Sequence, residues 1–180
     1  MRARPLLCVL LLTAALGLGL MAAGCGEDES LSVIEGEPVE LGDLSYNVSI
    51  SRFLNPADLE DSAYLAGQPP LPNSKQWFGV FMQIENESGD PQTISDDVVV
   101  RDTQDTEFRP IPSRSLFALD LGSEVEGDGE LPEPGTTAAS GPVEGAMVLF
   151  LIDQASTENR PLTLEIAGPD GEVGEVELDI

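Results

Sequence analysis

A two-residue alternation of apolar and polar side chains is the feature that most restricts what this chain can fold into. Between residues 44 and 51, polar residues separate Leu44, Tyr46, Val48 and Ile50. Successive side chains of a β-strand point to opposite faces of a sheet. The segment is therefore predicted to be a strand with one face on a core and the other in water.

The same period recurs along the 180-residue chain, and Gly- and Pro-rich turns lie between the apolar runs. This pattern predicts an all-β chain folded as an antiparallel β-sandwich. Residues 77–86 carry apolar side chains on both faces at the start and are predicted to form a central strand. The other predicted strands are 98–102 paired with 106–111, 146–152, and 162–166 paired with 176–180 across a Pro-Asp-Gly turn.

Helix is predicted to be minor and short. One candidate follows Asn55, where Pro56 suits the first helical position and Asp58 the first turn. A second candidate lies around residues 113–121. Neither is long enough to change the fold class.

The N-terminus has the layout of an export signal. Arg2 and Arg4 precede an apolar run from residue 6 to residue 20, and the run closes on the sequence Met-Ala-Ala-Gly-Cys ending at Cys25. This ending resembles the lipobox of bacterial lipoproteins, which implies a diacylglyceryl group on Cys25 and a location on the outer face of the cell membrane. An ordinary signal peptidase site and an uncleaved membrane helix are the alternatives.

Three regions follow from this interpretation. Residues 1–24 are predicted to be a lipoprotein signal peptide, residues 25–36 a lipidated N-terminus with an acidic flexible tether, and residues 37–180 the β-sandwich domain. Cys25 is then the single thiol of the mature chain, so no intramolecular disulfide is expected.

The mature chain is strongly acidic. Six Lys and Arg residues remain after residue 24 against 33 Asp and Glu, which gives a formal net charge of −27. Such a surface repels phosphate backbones, so nucleic acid is excluded as a partner. The charge either keeps the domain soluble and away from an anionic membrane or attracts a polycationic partner.

Several segments in sequence order resemble a known family. They are a strand ending in Asn-Glu-Ser-Gly (residues 77–89), a Val-Val-Val-Arg-Asp hairpin with Glu-Phe (98–108), a Pro-Gly pair (134–135) and the run from Val to Phe at 143–150. In this order they are similar to the DUF4352-type domain over residues 39–166. The resemblance implies an immunoglobulin-like β-sandwich found on secreted and lipid-anchored bacterial proteins, with no general activity assigned.

The residue types exclude many catalytic sites. The chain has no histidine, and its one lysine, Lys75, directly follows Ser74 without the spacing of a Ser-Lys dyad. We therefore expect that the protein is not an enzyme. The alternative is a carboxylate-dependent extracytoplasmic hydrolase assisted by calcium.

No cofactor is predicted, and calcium is the candidate metal because hard cations take carboxylate oxygens. The candidate calcium ligands are Asp96, Asp97, Glu124, Glu126, Asp128 and Glu130. The alternative is that these acidic residues form solvated loops that bind no metal.

A proline-rich stretch between two aromatic residues is the candidate partner surface. A polyproline segment of this kind docks in aromatic grooves; the alternative is a stiff connector whose Tyr64 and Leu71 pack on the sandwich. We expect a lipid-anchored binding module for an unknown protein, peptide or envelope ligand. A shallow apolar patch would favour binding, and two inward carboxylates in a deep pocket would favour the hydrolase. The candidate surface is Tyr64, Pro69, Pro70, Leu71, Pro72 and Trp77.

Overall fold

The computed structural model describes residues 30–180. This part of the chain consists mainly of strands, with one short α-helix and one 3-10 helix. No helix within residues 30–180 is long and apolar enough to cross a bilayer. The strands are β1 Ser30–Ile34, β2 Pro38–Leu41, β3 Leu44–Leu54, β4 Lys75–Asn86, β5 Gln92–Thr93, β6 Val98–Arg101, β7 Glu107–Phe108, β8 Glu124–Val125, β9 Glu130–Leu131, β10 Ala146–Asp153, β11 Leu162–Ala167 and β12 Val173–Leu178; the helices are α1 Leu59–Tyr64 and the 3-10 helix Gln154–Glu158.

Two main sheets form a β-sandwich, as the alternation predicts. The first sheet has the order β1-β12-β11-β6-β7, and the second has the order β10-β4-β3-β2 with β9 beside the end of β4. Strands β5 and β8 make a small separate pair. Neighbouring strands run antiparallel except β1 and β12, which are parallel.

The inner core lies between the two sheets. It takes Phe78 and Val80 from β4, Phe150 from β10, and Leu164 and Val176 from the first sheet, all fully buried. The C-terminal hairpin predicted from residues 162–166 and 176–180 is confirmed as β11 and β12, with Leu164 opposite Val176. Every second residue of each strand therefore contributes to one shared apolar layer.

A second apolar cluster, the outer layer, covers the other face of the second sheet. Trp77 and Phe81 of β4 and Leu149 of β10 point to this side and are buried. Helix α1 covers them with Tyr64, whose ring meets Phe81 edge-on at 5.0 Å. Strand β4 is thus buried on both faces at its start, which confirms its predicted central position.

Strand β3 departs from the predicted alternation at Ile50. A bulge shifts the register between Val48 and Ile50, so that Ile50 turns to the outer face and is 38% exposed. Ser51 takes the inward position, where its hydroxyl donates to the Glu35 carboxylate. The bulge was not visible in the sequence because it adds a residue without breaking the apolar pattern.

The helix predictions are partly wrong. Helix α1 begins after Asp58, whose carboxylate accepts from the N–H groups of Glu60 and Asp61 as an N-cap, so Pro56 lies outside it. Residues 113–121 form no helix and run across the edge of β10 instead. Their backbone groups form hydrogen bonds with β10, in place of the hydrogen bonds within a helix that the sequence predicted.

The first strand lies inside the segment predicted as tether. Residues 30–34 pair with β12, and the Glu35 N–H extends this pairing by donating to the Glu177 carbonyl (2.9 Å). Residues 30–34, which the sequence assigned to the tether, therefore form a strand of the first sheet. The predicted signal peptide, Cys25 and residues 26–29 lie outside the described residues.

Candidate binding surface

A segment that we call the strap, residues 109–122, leaves β7 and crosses the free edge of β10. On the outgoing leg the Ile111 N–H donates to the Leu149 carbonyl (2.8 Å). On the returning leg the Leu119 N–H donates to the Met147 carbonyl (2.8 Å), and the Met147 N–H donates to the Phe117 carbonyl (2.7 Å). The strap thus supplies partners to backbone groups of β10 that face away from β4.

The tip of the strap is fixed to helix α1 and the connector after it. The Ser115 hydroxyl donates to the Ala63 carbonyl (3.0 Å), and the Gln68 side-chain amide donates to the Pro112 carbonyl (2.8 Å). The Phe117 ring packs edge-on against Tyr64 at 4.8 Å. These contacts hold an irregular segment in one position although it contains no regular secondary structure.

A groove of about 460 Å³ opens along the strap. Ile111, Leu119 and Leu121 contribute its apolar lining, and the exposed carboxylates of Asp96 and Asp120 also line it. The groove opens to solvent along its length, so it suits side chains of a partner better than an enclosed small molecule.

A smaller pocket of about 220 Å³ lies on the other side of the returning leg. Its lining is mostly apolar and includes Leu116, which is 77% exposed, together with Leu131 and Ala146. Leu119 and Asp120 line both cavities, so the groove and the pocket adjoin. We call the two cavities together with Leu116 the strap surface.

The partner surface predicted from the proline-rich stretch is corrected by burial. Tyr64 is 1% exposed and Trp77 is 3% exposed, because both rings belong to the outer layer. Leu71 is half-buried and packs against the same cluster. The three exposed prolines, Pro69, Pro70 and Pro72, therefore belong to a connector that lacks aromatic side chains free to meet a partner.

The calcium candidates are dispersed. Asp97 binds the Arg109 guanidinium (2.9 Å), and Asp96 faces the groove. Glu124 lies in β8, and Glu126 precedes a tight turn in which Asp128 has φ +54°. Across residues 30–180 no group of three or more acidic side chains is placed to hold a metal ion.

Four acidic residues do share one open cleft of about 480 Å³ at the end of β4. They are Glu85, Glu87, Asp128 and Glu130, and all four are exposed. Exposed carboxylates keep their hydration and gain little of the desolvation that acid-base chemistry uses. The cleft therefore lacks the inward pair that would favour a hydrolase.

Two carboxylates in the described residues are buried, and both are engaged. Asp61 lies 2.7 Å from the Arg52 guanidinium and accepts from the Asn55 N–H (2.7 Å). Asp102 accepts from the Asn159 side chain (3.0 Å) and from the N–H groups of Gln104 and Thr106 (2.9 Å each).

The pKa of Asp102 lies well below its ordinary value. Burial alone would raise it, but the hydrogen bonds, the one from Asn159 foremost, stabilise the charged form and prevail. The carboxylate closes the hairpin between β6 and β7, so it has a structural role.

Sequence reasoning missed Leu116 and Leu119 because residues 113–121 were expected to be helical, and it missed Ile111 because residues 106–111 were expected to be a hairpin strand. Pro110 and Pro112 were the available signal, since closely spaced prolines favour an extended backbone. The apolar residues that follow them then extend along the sandwich edge.

Comparisons with known proteins show a likeness of fold alone. No protein-family model matches the chain, and no curated protein does. A crystal structure of an uncharacterized β-sandwich protein from Clostridium difficile 630 matches with a TM-score of 0.53 at 14% identity, covering 85% of this chain and 97% of that one. The yjhA protein from Bacillus subtilis matches with a TM-score of 0.50 at 14% identity, covering 83% of this chain and 99% of that one. The chain therefore has a β-sandwich fold that solved bacterial proteins share.

Proposed function

We propose that this protein is a lipid-anchored extracytoplasmic binding module, held to the outer face of the cell membrane through Cys25, that binds its partner on the strap surface. The observation that carries the proposal is the exposure of Leu116 at the mostly apolar pocket, which adjoins the larger groove with its mixed apolar and acidic lining. Apolar side chains that border a concave surface gain free energy when a partner removes them from water.

The anchor and the binding surface fit together in one chain. Four residues separate Cys25 from β1, and an extended chain spans at most about 3.5 Å per residue, so the sandwich would lie within about 20 Å of the lipid. A domain held this close meets envelope partners rather than soluble cytoplasmic ones. Membership of the DUF4352-type family, proposed from the sequence motifs, agrees with such an envelope protein.

The hydrolase alternative has less support. Its catalytic pair would need two carboxylates converging in a desolvated cleft. In the described residues the acidic cleft is open, and the buried Asp61 and Asp102 are held by Arg52 and Asn159. Binding at the strap surface is favoured over hydrolysis because binding needs exposed apolar area and does not need a converging pair of carboxylates.

The anchor is tested by changing Cys25 to alanine in the producing bacterium. The wild-type protein should fractionate with membranes and yield a lipid-modified Cys25 by mass spectrometry of its N-terminus. The variant should lose the modification and leave the washed membrane fraction. An unmodified wild-type Cys25 would contradict the anchor.

The binding surface is tested by placing a photo-crosslinking residue at position 116 in living cells, with position 59 as the matched control. Leu59 is 90% exposed on α1 and lines neither cavity. We expect a discrete cross-linked product from position 116 and none from position 59. Equal products from both positions, or none from position 116, would contradict a partner at the strap.

A further inference from the structure

The strap surface carries excess negative charge. Asp96 and Asp120 line the groove, and Asp120 and Glu133 line the pocket. None of these three carboxylates forms an ion pair with a cation of residues 30–180. They therefore remain available to a positive charge from outside.

One cation does lie at the groove, but its charge is already neutralised. The Arg109 guanidinium contacts the Asp97 carboxylate at 2.9 Å and the Glu107 carboxylate at 3.8 Å. An anionic ligand would have to displace these two carboxylates and approach a chain of formal net charge −25. A second copy of this chain carries the same charge and is repelled in the same way.

The two cavities also limit the kind of ligand. The pocket of about 220 Å³ is smaller than the roughly 300 Å³ at which small-molecule sites begin, and the groove is open. A pocket this small and a groove this open can instead each accept one apolar side chain of a partner, as cavities at protein interfaces accept anchor residues. Because Asp120 lines both cavities, a segment with an anchor in each passes this carboxylate.

We infer that the strap surface binds a basic peptide segment of a partner protein, with one apolar side chain in the groove, another in the pocket beside Leu116, and a Lys or Arg opposite Asp120. This inference rests on the proposed binding function and adds the chemistry of the partner. The apolar anchors supply the affinity, and the carboxylates select for positive charge.

The probe is a fluorescent 12-residue peptide in which leucine and lysine alternate, with a leucine-glutamate peptide as its counterpart. Binding to the full chain in phosphatidylcholine nanodiscs is measured by fluorescence anisotropy, and binding to empty nanodiscs is subtracted. We expect saturable binding of the lysine peptide that weakens as salt is added. Binding of the glutamate peptide should be absent.

Matched variants locate the site. Leu116→Ser should weaken binding about tenfold and Asp120→Asn about fivefold, as expected for an anchor contact and a facing charge. Leu59→Ser and Asp170→Asn remove the same groups at exposed positions outside both cavities, and they should leave affinity within about twofold.

Several results would overturn the inference. They are equal binding of the two peptides, absence of saturable binding, and equal losses in the control variants, which would show general attraction to an acidic chain. Self-association that Leu116→Ser abolishes would assign the surface to a second copy. If the cross-link from position 116 persists while the lysine peptide fails to bind, the partner chemistry is wrong and the binding function stands.

Discussion

The two faces of the second sheet are covered in different ways. The inner face meets the first sheet, and side chains such as Phe78 and Phe150 interdigitate with strands of regular register. The outer face is covered by α1, the proline-rich connector and the strap, none of which belongs to a sheet. The inner face is enclosed by strands, whereas the strap leaves two cavities at the edge of the sandwich, where Leu119 and Leu121 reach the inner core, and an exposed Leu116.

This difference links stability to function. A face covered by strands has little freedom to accept a ligand, because each side chain is enclosed by neighbours on both sheets. A face covered by irregular segments can be closed enough to bury Trp77 and Tyr64 and still present open apolar area at its border. We therefore expect substitutions to destabilise the protein most at the inner core and least at the strap surface.

Phe78→Ala should have the largest effect. The ring is fully buried and lies 5.1 Å from Phe53 and 6.5 Å from Phe150, so its removal leaves a cavity between the sheets. The free energy of unfolding, measured in urea, should fall by about 4 kcal/mol. Phe78→Leu, as the control, should cost about 1 kcal/mol, and equal losses from both variants would argue against a tightly packed inner core.

Tyr64→Ala tests the outer layer. It removes a ring that packs on Phe81 and Phe117, at 5.0 and 4.8 Å, and that faces the Arg52 guanidinium at 5.7 Å. Because strap and connector can relax into the space, we expect a loss of about 3 kcal/mol in urea unfolding. Tyr64→Phe keeps the ring and should stay within about 1 kcal/mol of the wild type; a loss above that of Phe78→Ala would reverse the comparison.

Asp102→Asn should have a smaller effect that depends on pH. At neutral pH the carboxylate accepts three hydrogen bonds in the folded state, and its replacement should cost about 2 kcal/mol. The pKa of Asp102 is lowered on folding, so this stability is present above the unfolded value near 4 and declines as pH falls toward the folded value.

Urea unfolding of wild type and variant at pH 7 and pH 2.5 checks this sign. The difference between the two proteins should shrink at the lower pH. Asp105→Asn alters an exposed carboxylate in the same turn, where φ of +61° is tolerated by Asn, and it should change little at either pH. A difference that grows in acid would contradict the role of the charged form.

Leu116→Ser should have the smallest effect on stability. The side chain is 77% exposed, so its replacement removes little buried area, and the free energy of unfolding should change by less than about 0.5 kcal/mol. Leu119→Ser, at a half-buried position of the same leg, should cost more. A large loss from Leu116→Ser would show that this residue supports the fold instead of presenting a binding surface.

The sequence by itself determined the parts of the protein that depend on local pattern. Period-two alternation is a property of neighbouring residues, so it located β3, β4 and the β11-β12 hairpin, while a fully apolar run located β10; together they predicted the β-sandwich. The acidic balance, set by composition, was equally readable.

Only the tertiary structure decided what covers those strands. The burial of Tyr64 and Trp77 arises when α1 and the connector cross a sheet face, and the extended strap is held by hydrogen bonds to β10, some 30 residues away in sequence. The bulge that exposes Ile50 depends on pairing with β4, where Ile50 lies opposite Phe81. The pairing of β1 with β12 joins segments much further apart along the chain, since Ser30 lies opposite Val173. Such long-range contacts override local preference, so Pro110 and Pro112 could indicate an extended segment but not which sheet edge it would cross.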